Sequence, residues 1–496
     1  MPKRDFRVAD APADEFRVPG WPYDRPAYES LAAAVQGEGS RWNVPGLAVG
    51  ILYEGKVETT SAGFANLATR TPMTDDTISQ IGSISKVFTA TLAMILAGEG
   101  VLDLDAPVAS YLPDLELADE SAREVITLRH LLSHTSGIEG DRFIGYGQGD
   151  DALARAIADF GTLRQWFRPG DLWSYSNAGY YLACRAIEVA AGQPFETDFR
   201  ERLVEPLGLE TCVFFAEDVI TRPHAVGHYL KSREEGHTMA HGYSFPRHIN
   251  GTGGVVTSTR ELLRFARMHM DDGAIDGVRR LPDKAARAMR EPIVEAGDFH
   301  RQYGIGWCIH DYPEFRTISH GGATRGFRAN LTAIPEKGFA IAILTNGETG
   351  SRAIQEIEAW ALASYLGFER PVPVRIPLAN KQLKAFAGEY RRHDGRFTVS
   401  VVDDRLDLRV ESLDEESGEV EDDKTSPLLP VGERRFRVPD GPNKGAIVDV
   451  IAYAGNGREQ EFLRTGGRLA ERETGTPEAG PKAGTAKKGK VKGTKT

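Results

Sequence analysis

The chain has 496 residues, 41% of them hydrophobic, and a formal net charge of −11, so it is too long for one core and is expected to divide into two or three domains. No apolar run approaches the length that spans a bilayer, and an acidic body argues against nucleic-acid binding by the folded part. Three widely spaced cysteines, Cys184, Cys212 and Cys308, exclude a disulfide framework and a cysteine-rich metal site, and each reads as a small buried hydrophobe.

Residues 1–24 open with basic residues and lack an apolar stretch behind them. They read as an N-terminal extension and not as a secretory leader, which makes a cytoplasmic location the expectation. Residues 46–64 form a predicted hairpin, with two runs rich in Val, Ile and Thr around the turn Tyr53-Glu54-Gly55-Lys56. The period then changes: Ile84, Val87, Phe88, Leu92, Ile95 and Leu96 share one broad helical face over 83–97. Residues 122–138 read as a short helix with a Gly-terminated turn, and 151–166 and 176–207 as helical. Strands return at 315–320 and 328–346, where Pro335-Glu336-Lys337-Gly338 turns between two apolar runs, and a last helix spans roughly 351–366. Strands at both ends with helices between them predict an α+β domain over 25–369. Its antiparallel sheet is built from sequence-distant strands and flanked by helices, with an all-helical subdomain inserted. A Pro-containing linker follows at 370–382. Short alternating segments over 383–470 predict a small β-barrel or sandwich. Residues 471–496 read as a disordered Lys/Gly-rich tail; its last sixteen residues carry six lysines and no acid.

Chemistry concentrates at three places. Ser83 and Lys86 stand one helical turn apart at the head of an apolar helix. A lysine in a first turn opposes the helix dipole and here shares an apolar side, so a desolvated amine able to take the serine's proton is one reading. An N-cap serine with a surface lysine is the other. Tyr175-Ser176-Asn177 precedes a helix start. A neighbouring ammonium would favour the Tyr175 phenolate as a base, and the Asn177 amide can both donate and accept; a plain helix cap at Ser176 or Asn177 with Tyr175 packed is the alternative. His320, Gly321 and Gly322 follow a strand, where glycines let a ligand approach the backbone. There a strand edge offers an N–H to an oxyanion, and His320 can donate a hydrogen bond or carry charge near neutral pH.

Taken together, Ser83-x-x-Lys86, Tyr175-Ser176-Asn177 and His320-Gly321-Gly322 resemble the serine β-lactamase and penicillin-binding-protein superfamily. The likeness is to its class C β-lactamase branch, which includes D-stereospecific peptidases and esterases. The resemblance covers roughly 25–365 and extends to the stretches around 128–138, 168–180, 251–262 and 319–346. The C-terminal region more loosely resembles lipocalin-like or barrel domains appended to some relatives. The resemblance implies Ser83 as the acylated nucleophile, Lys86 as its deprotonated partner and Tyr175 as general base. It implies Asn177 bound to Lys86 and to the substrate amide, and His320 in place of the usual lysine. The backbone N–H groups of Ser83 and Ala323, flanked by Gly321 and Gly322, would form the oxyanion hole. Histidine instead of lysine points away from efficient penicillin or cephalosporin hydrolysis and towards an ester or amide substrate: a small carboxylic ester or a D-amino-acid-containing peptide. A β-lactamase or DD-carboxypeptidase acting on a β-lactam or peptide is the alternative, and an inactive binding module of the same fold a second. No metal or organic cofactor is expected.

Other features carry less. His224, His228, His237, His241 and His248 cluster between 224 and 248. His224 and His228 have a metal-compatible spacing, but Pro223 and Gly227 interrupt the segment, and a solvated loop beside the cleft is expected. His134 reads as a turn-packing histidine. Arg325 and Arg328 read as surface residues or as groups favouring an acidic substrate. Loops 139–150 and 229–248 are expected to shape the pocket.

Overall fold

In the computed structural model, residues 26–297, 301–371, 374–414, 419–440, 444–455 and 457–473 are described. The expected N-terminal extension and the tail from residue 474 lie outside them. Among the described residues, nine strands make one antiparallel sheet: β1 (Gly46–Tyr53), β2 (Lys56–Asn66), β3 (Thr71–Pro72), β4 (Val294–Gly297), β5 (Arg301–Tyr303), β6 (Cys308–Asp311), β7 (Arg316–Thr324), β8 (Phe327–Ile334) and β9 (Phe339–Thr345). Their order is β4-β5-β6-β7-β8-β9-β1-β2-β3. The first strand therefore pairs with the last, Leu47 opposite Thr345 and Ile51 opposite Ile341, as the split between early and late strands predicts.

The central strands are buried on both faces, which explains their near-continuous apolar runs. Val49, Ile51, Ile341 and Ile343 face α1 (Leu31–Arg41) and α5 (Gly350–Leu366). Ala340, Ala342, Leu344 and Leu331 face the larger core, which holds α2 (Ser85–Gly98), α3 (Asn177–Ala191) and α4 (Thr259–Met270). The insertion between β3 and β4 is mainly helical and carries short hairpins, among them His228–Ser232 with Gly236–Met239.

Two helices are shorter than their patterns suggest. The helix from Ala152 stops at Ile157, because the chain then pairs beside residues 137–139: Trp166 N–H donates to Gly137 O and Glu139 N–H to Arg164 O. The run 176–207 breaks after Ala191, where Gly192 takes a left-handed conformation (φ 73°) and Pro194 starts a new helix.

The C-terminal region is a closed barrel of eight strands among the described residues: β10 (Gly388–Arg392), β11 (Gly395–Val402), β12 (Arg405–Leu413), β13 (Val420–Gly432), β14 (Arg435–Arg437), β15 (Ile447–Gly455), β16 (Arg458–Thr465) and β17 (Arg468–Arg472). Tyr390 opposite Arg472 closes it. A short helix, α6 (Asn380–Phe386), sends Leu383 and Phe386 into a core with Tyr390, Phe397, Phe436 and Leu463. The stretch read as a linker engages this barrel: Ile376 N–H donates to Pro430 O at 2.9 Å.

The barrel packs on the first domain through an apolar seam of Trp166 and Phe167 against Tyr453, Phe462 and Leu469. Polar contacts frame the seam. Tyr453 Oη donates to Asp171 at 2.7 Å, and His393 meets Glu139 at 3.0 Å. No described helix is long and apolar enough to cross a membrane.

Candidate active site

Ser83 sits in a 3-10 turn, Gly82–Ile84, that runs straight into α2. Ser83 is half-buried, and Lys86 lies one turn on, fully buried. Lys86 Nζ is 3.3 Å from Ser83 Oγ and donates to the Thr252 carbonyl at 2.9 Å. That carbonyl belongs to a π-helical turn, Asn250–Gly254, of the kind often found at functional sites. Thr89 Oγ1 donates to Gly251 O at 2.5 Å and holds the same turn on α2. The segment 251–254 carries no ionisable residue, so its sequence gives no sign that one of its carbonyls holds the lysine.

Ser176 is the N-cap of α3: its Oγ accepts from Gly179 N–H at 3.0 Å. The capping reading and the site reading therefore apply to different residues of one motif, since the cap places Tyr175 and Asn177 on either side of it. The Tyr175 ring lies 4.9 Å from Lys86 Nζ and 4.2 Å from the buried ring of His134. His134 Nδ1 accepts the Ser176 N–H at 3.0 Å, so this histidine packs the turn and also supports the tyrosine. The Asn177 amide gives Nδ2–H to Asp141 Oδ1 at 2.5 Å. The expected bond from Asn177 to Lys86 is not formed among the described residues: the Asn177 NH₂ goes to the buried Asp141 carboxylate and Lys86 Nζ to Thr252 O.

β7 pairs with β8 from Ile318 to Thr324, the latter opposite Phe327, but with β6 only up to Ser319. From His320 onward its other edge faces the serine turn. A Cβ on Gly322 would lie 1.8 Å from Ile81 O and 3.3 Å from Ser83 N, and one on Gly82 would lie 2.6 Å from Ala323 N. Backbone meets backbone here and only glycine fits, with Gly322 against the Ser83 nitrogen and Gly82 against that of Ala323. Of the two roles open to His320, the structure favours the hydrogen bond over the charge. The histidine is buried, with Nδ1 donating to Gly321 O at 2.7 Å and Nε2 3.2 Å from the Tyr303 hydroxyl, which itself donates to Gly306 O at 3.2 Å. Burial first, then Lys86, lowers its pKa to about 3.

The same low dielectric acts on every group around Ser83. Burial drives Lys86 well below the ordinary lysine value, with Asp141 opposing. Burial raises Tyr175, with the Ser83 hydroxyl opposing, although the phenol oxygen completes no hydrogen bond among the described residues. Burial thus works against the expected phenolate and favours loss of the Lys86 proton. A neutral amine that gives one N–H to Thr252 keeps a lone pair for the serine proton. Burial raises the carboxyl of Asp141 as well, but Arg468 overrides it and the net shift is downward.

The histidine-rich segment is not the solvated loop it reads as. His228 is buried, Nδ1 donating to Asn346 O at 3.1 Å and Nε2 accepting from Leu67 N–H at 3.3 Å. His248 is buried against Tyr146 and Tyr181, and only His241 of the five is exposed. No described cluster of His, Cys, Asp and Glu is arranged to hold a metal. Cys184 and Cys212 are buried as expected, while Cys308 is partly exposed. Arg325 donates to Gly242 O, and Arg328 is half-buried against the Thr324 and Phe327 carbonyls. Asp141 and Arg468, 327 residues apart, escape a motif search because nothing local in the sequence ties either to Asn177.

A helix headed by a serine, buried against an antiparallel sheet with a helical insertion, is the β-lactamase/transpeptidase fold, and the relatives of this chain built on it are serine hydrolases. The Beta-lactamase family model matches residues 31–364, and the chain belongs to that family. Penicillin-binding protein 4 of Amycolatopsis lactamdurans is 32% identical over 381 residues, 75% of this chain and 99% of that one. A D-aminopeptidase of Gluconobacter oxydans is 28% identical over 377 residues, 73% of this chain and 65% of that one. The solved structure of SurE superposes with a TM-score of 0.71 at 26% identity, covering 89% of this chain and 98% of that one; SurE with D-Leu gives 0.69.

Proposed function

We propose that this serine hydrolase cleaves an amide or ester of a D-amino acid, or a short peptide containing one, through an acyl-enzyme on Ser83. The observation that carries the reading is the buried Lys86 amine, 3.3 Å from Ser83 Oγ and held down by burial. Ser83 Oγ attacks the substrate carbonyl while its proton passes to Lys86 Nζ. The amides of Ser83 and Ala323 take the oxyanion. The leaving amine or alcohol departs with a proton from the Tyr175 phenol, which Lys86 replaces. Water then adds to the acyl carbon and gives its proton back through the same pair, and the carboxylic acid leaves with Ser83 restored. One water is consumed per bond broken. The D-amino-acid preference is supported by the D-aminopeptidase relative and by D-Leu bound to SurE.

A second reading, acylation by a β-lactam, is favoured by the likeness to a penicillin-binding protein. Against it stands His320, where burial disfavours the charged imidazolium that a β-lactam carboxylate would need.

The test is intact-protein mass spectrometry with a fluorophosphonate, a penicillin, a chromogenic short-chain ester and D- and L-alanine amides. The expected result is a fluorophosphonate adduct on Ser83 and turnover of the D-amide over the L-amide, with Ser83→Ala lowering kcat on the order of 10⁶-fold. A lasting penicillin adduct without amide turnover selects the second reading. A folded protein that reacts with nothing overturns both and leaves the binding-module alternative.

A further inference from the structure

The barrel reaches the site through the turn between β16 and β17. The Gly467 carbonyl accepts Tyr175 N–H at 2.9 Å, and Leu469 N–H donates to Ser174 Oγ at 3.3 Å. Gly467 has φ +80°, and a Cβ there would lie 2.9 Å from Trp173 Cη2, so the turn is pressed onto the Tyr175 segment with no side chain between them. Arg468 follows. Its Nε donates to Asp141 Oδ2 at 2.7 Å and its Nη1 to Gly466 O at 2.8 Å, and its guanidinium lies 4.7 Å from the Tyr175 ring centroid. Asp141 spends its other oxygen on Asn177.

These contacts form a chain with a direction. An amide side chain is symmetric in shape, and only its partners decide which end points where. The Asp141 carboxylate accepts and cannot donate, so it fixes the Asn177 NH₂ towards itself and turns Oδ1 away. A buried carboxylate is costly without a cation, and Arg468 is the cation on its second oxygen. The same guanidinium lies over the face of Tyr175, where cation–π attraction holds the ring.

We propose that Arg468 is a positioning residue for the hydrolase site, setting Asn177 through Asp141 and Tyr175 through its ring, so that the barrel completes a site whose nucleophile lies in the other domain. This rests on the acyl-enzyme reading for its kinetic readout but not for its geometric one.

The charge pattern supplies a readout that a merely structural role lacks. Lys86 is faced by the rings of Tyr175 and Tyr180, the imidazoles of His134 and His320, the thiol of Cys184, and the pair Asp141 and Arg468. Burial keeps the rings, imidazoles and thiol uncharged, so the pair is the charged influence. Arg468 lowers Lys86 and Asp141 raises it.

The test uses the full chain with Arg468→Ala, Arg468→Lys, Asp141→Asn and the double variant Arg468→Ala/Asp141→Asn. Chromogenic-ester kinetics are followed across pH, and Arg468→Ala is crystallised. The expected result for Arg468→Ala is a kcat lowered by about 10²-fold with KM little changed, part of which Arg468→Lys recovers. The double variant should be no worse than the poorer single. The acid limb of kcat/KM should move up in Arg468→Ala and down in Asp141→Asn, and the crystal should show Asn177 turned from its native rotamer. A raised KM with kcat intact would make Arg468 a substrate contact and overturn the proposal, as would additive losses, limbs moving in the same direction or an unmoved Asn177. A wild-type chain that fluorophosphonate leaves unlabelled defeats the acyl-enzyme reading alone, and the Asn177 and Tyr175 rotamers then still decide the positioning role.

Discussion

Two basic side chains reach the Tyr175 ring from opposite ends of the chain, and burial treats them differently. Lys86, at the head of α2, arrives with a hydroxyl and a backbone carbonyl as partners. Arg468, at the tip of the barrel turn, arrives with the Asp141 carboxylate. An amine without a bonded counter-ion can shed its proton, and burial pushes Lys86 in that direction. A guanidinium cannot, and is kept charged by the carboxylate that needs it. The same low dielectric thus makes a base at one end of the ring and a fixed cation at the other. What decides between them is the partner each brings.

The strongest way to break this comparison is to give the Lys86 position the chemistry of Arg468. Lys86→Arg keeps a cation but removes the buried amine beside Ser83, so kcat should fall about 10⁴-fold with the fold retained by circular dichroism. Activity within tenfold of the parent would mean that another group takes the serine proton. Next in size is Tyr175→Phe, expected to lower kcat about 10²-fold. Its pH profile sharpens the contrast. Lys86 must lose its proton before it can accept one, so kcat/KM should rise with pH through a pKa well below the ordinary lysine value of about 10.4. That acid limb should persist in Tyr175→Phe; its disappearance would assign it to the phenol.

Smaller effects probe the scaffolding on either side. Gly322→Ala would press a methyl against Ile81 O and should cost roughly 2 kcal/mol, read as a Tm lowered by about 3 °C together with slower labelling of Ser83. An unchanged Tm would show that β7 and the serine turn are not in the tight contact described. Tyr453→Phe removes a bond to Asp171 at the domain seam, 2.7 Å long and remote from the catalytic groups. It should cost about 1 kcal/mol by denaturant titration, with kcat within twofold. A large kcat loss there would mean that any loosening of the barrel, and not Arg468 in particular, disturbs the site.

Much of this was legible along the chain. The switch from alternating to helical period at Ser83, the cap at Ser176 and the glycines after His320 are local signals, and each sits where its pattern predicts. Burial was not legible. A window of sequence shows that Tyr175 lies near Lys86 in a motif but not how dry their surroundings are, so the direction of the phenol's pKa came out reversed and His320 was expected to be more polar than it is. His228 and His248 misled for the same reason, since polar letters in a Gly- and Pro-rich stretch look solvated until the strands around them are in place. Asp141 and Arg468 were out of reach on other grounds. They lie far apart in the sequence, and their meeting depends on how a barrel docks.

The pairing of β1 with β9 has a consequence for the order in which the molecule is made. β1 leaves the ribosome early and finds β2 at once through a short turn, but its other edge stays open until β9 has been synthesised. For that interval the chain exposes an apolar strand edge flanked by unfinished helices, a condition that favours association with other chains. Truncation just before residue 339 would make that interval permanent. A chain cut there is expected to accumulate in aggregates, while one cut after α5 is expected to stay dispersed, though without the arginine that the barrel brings.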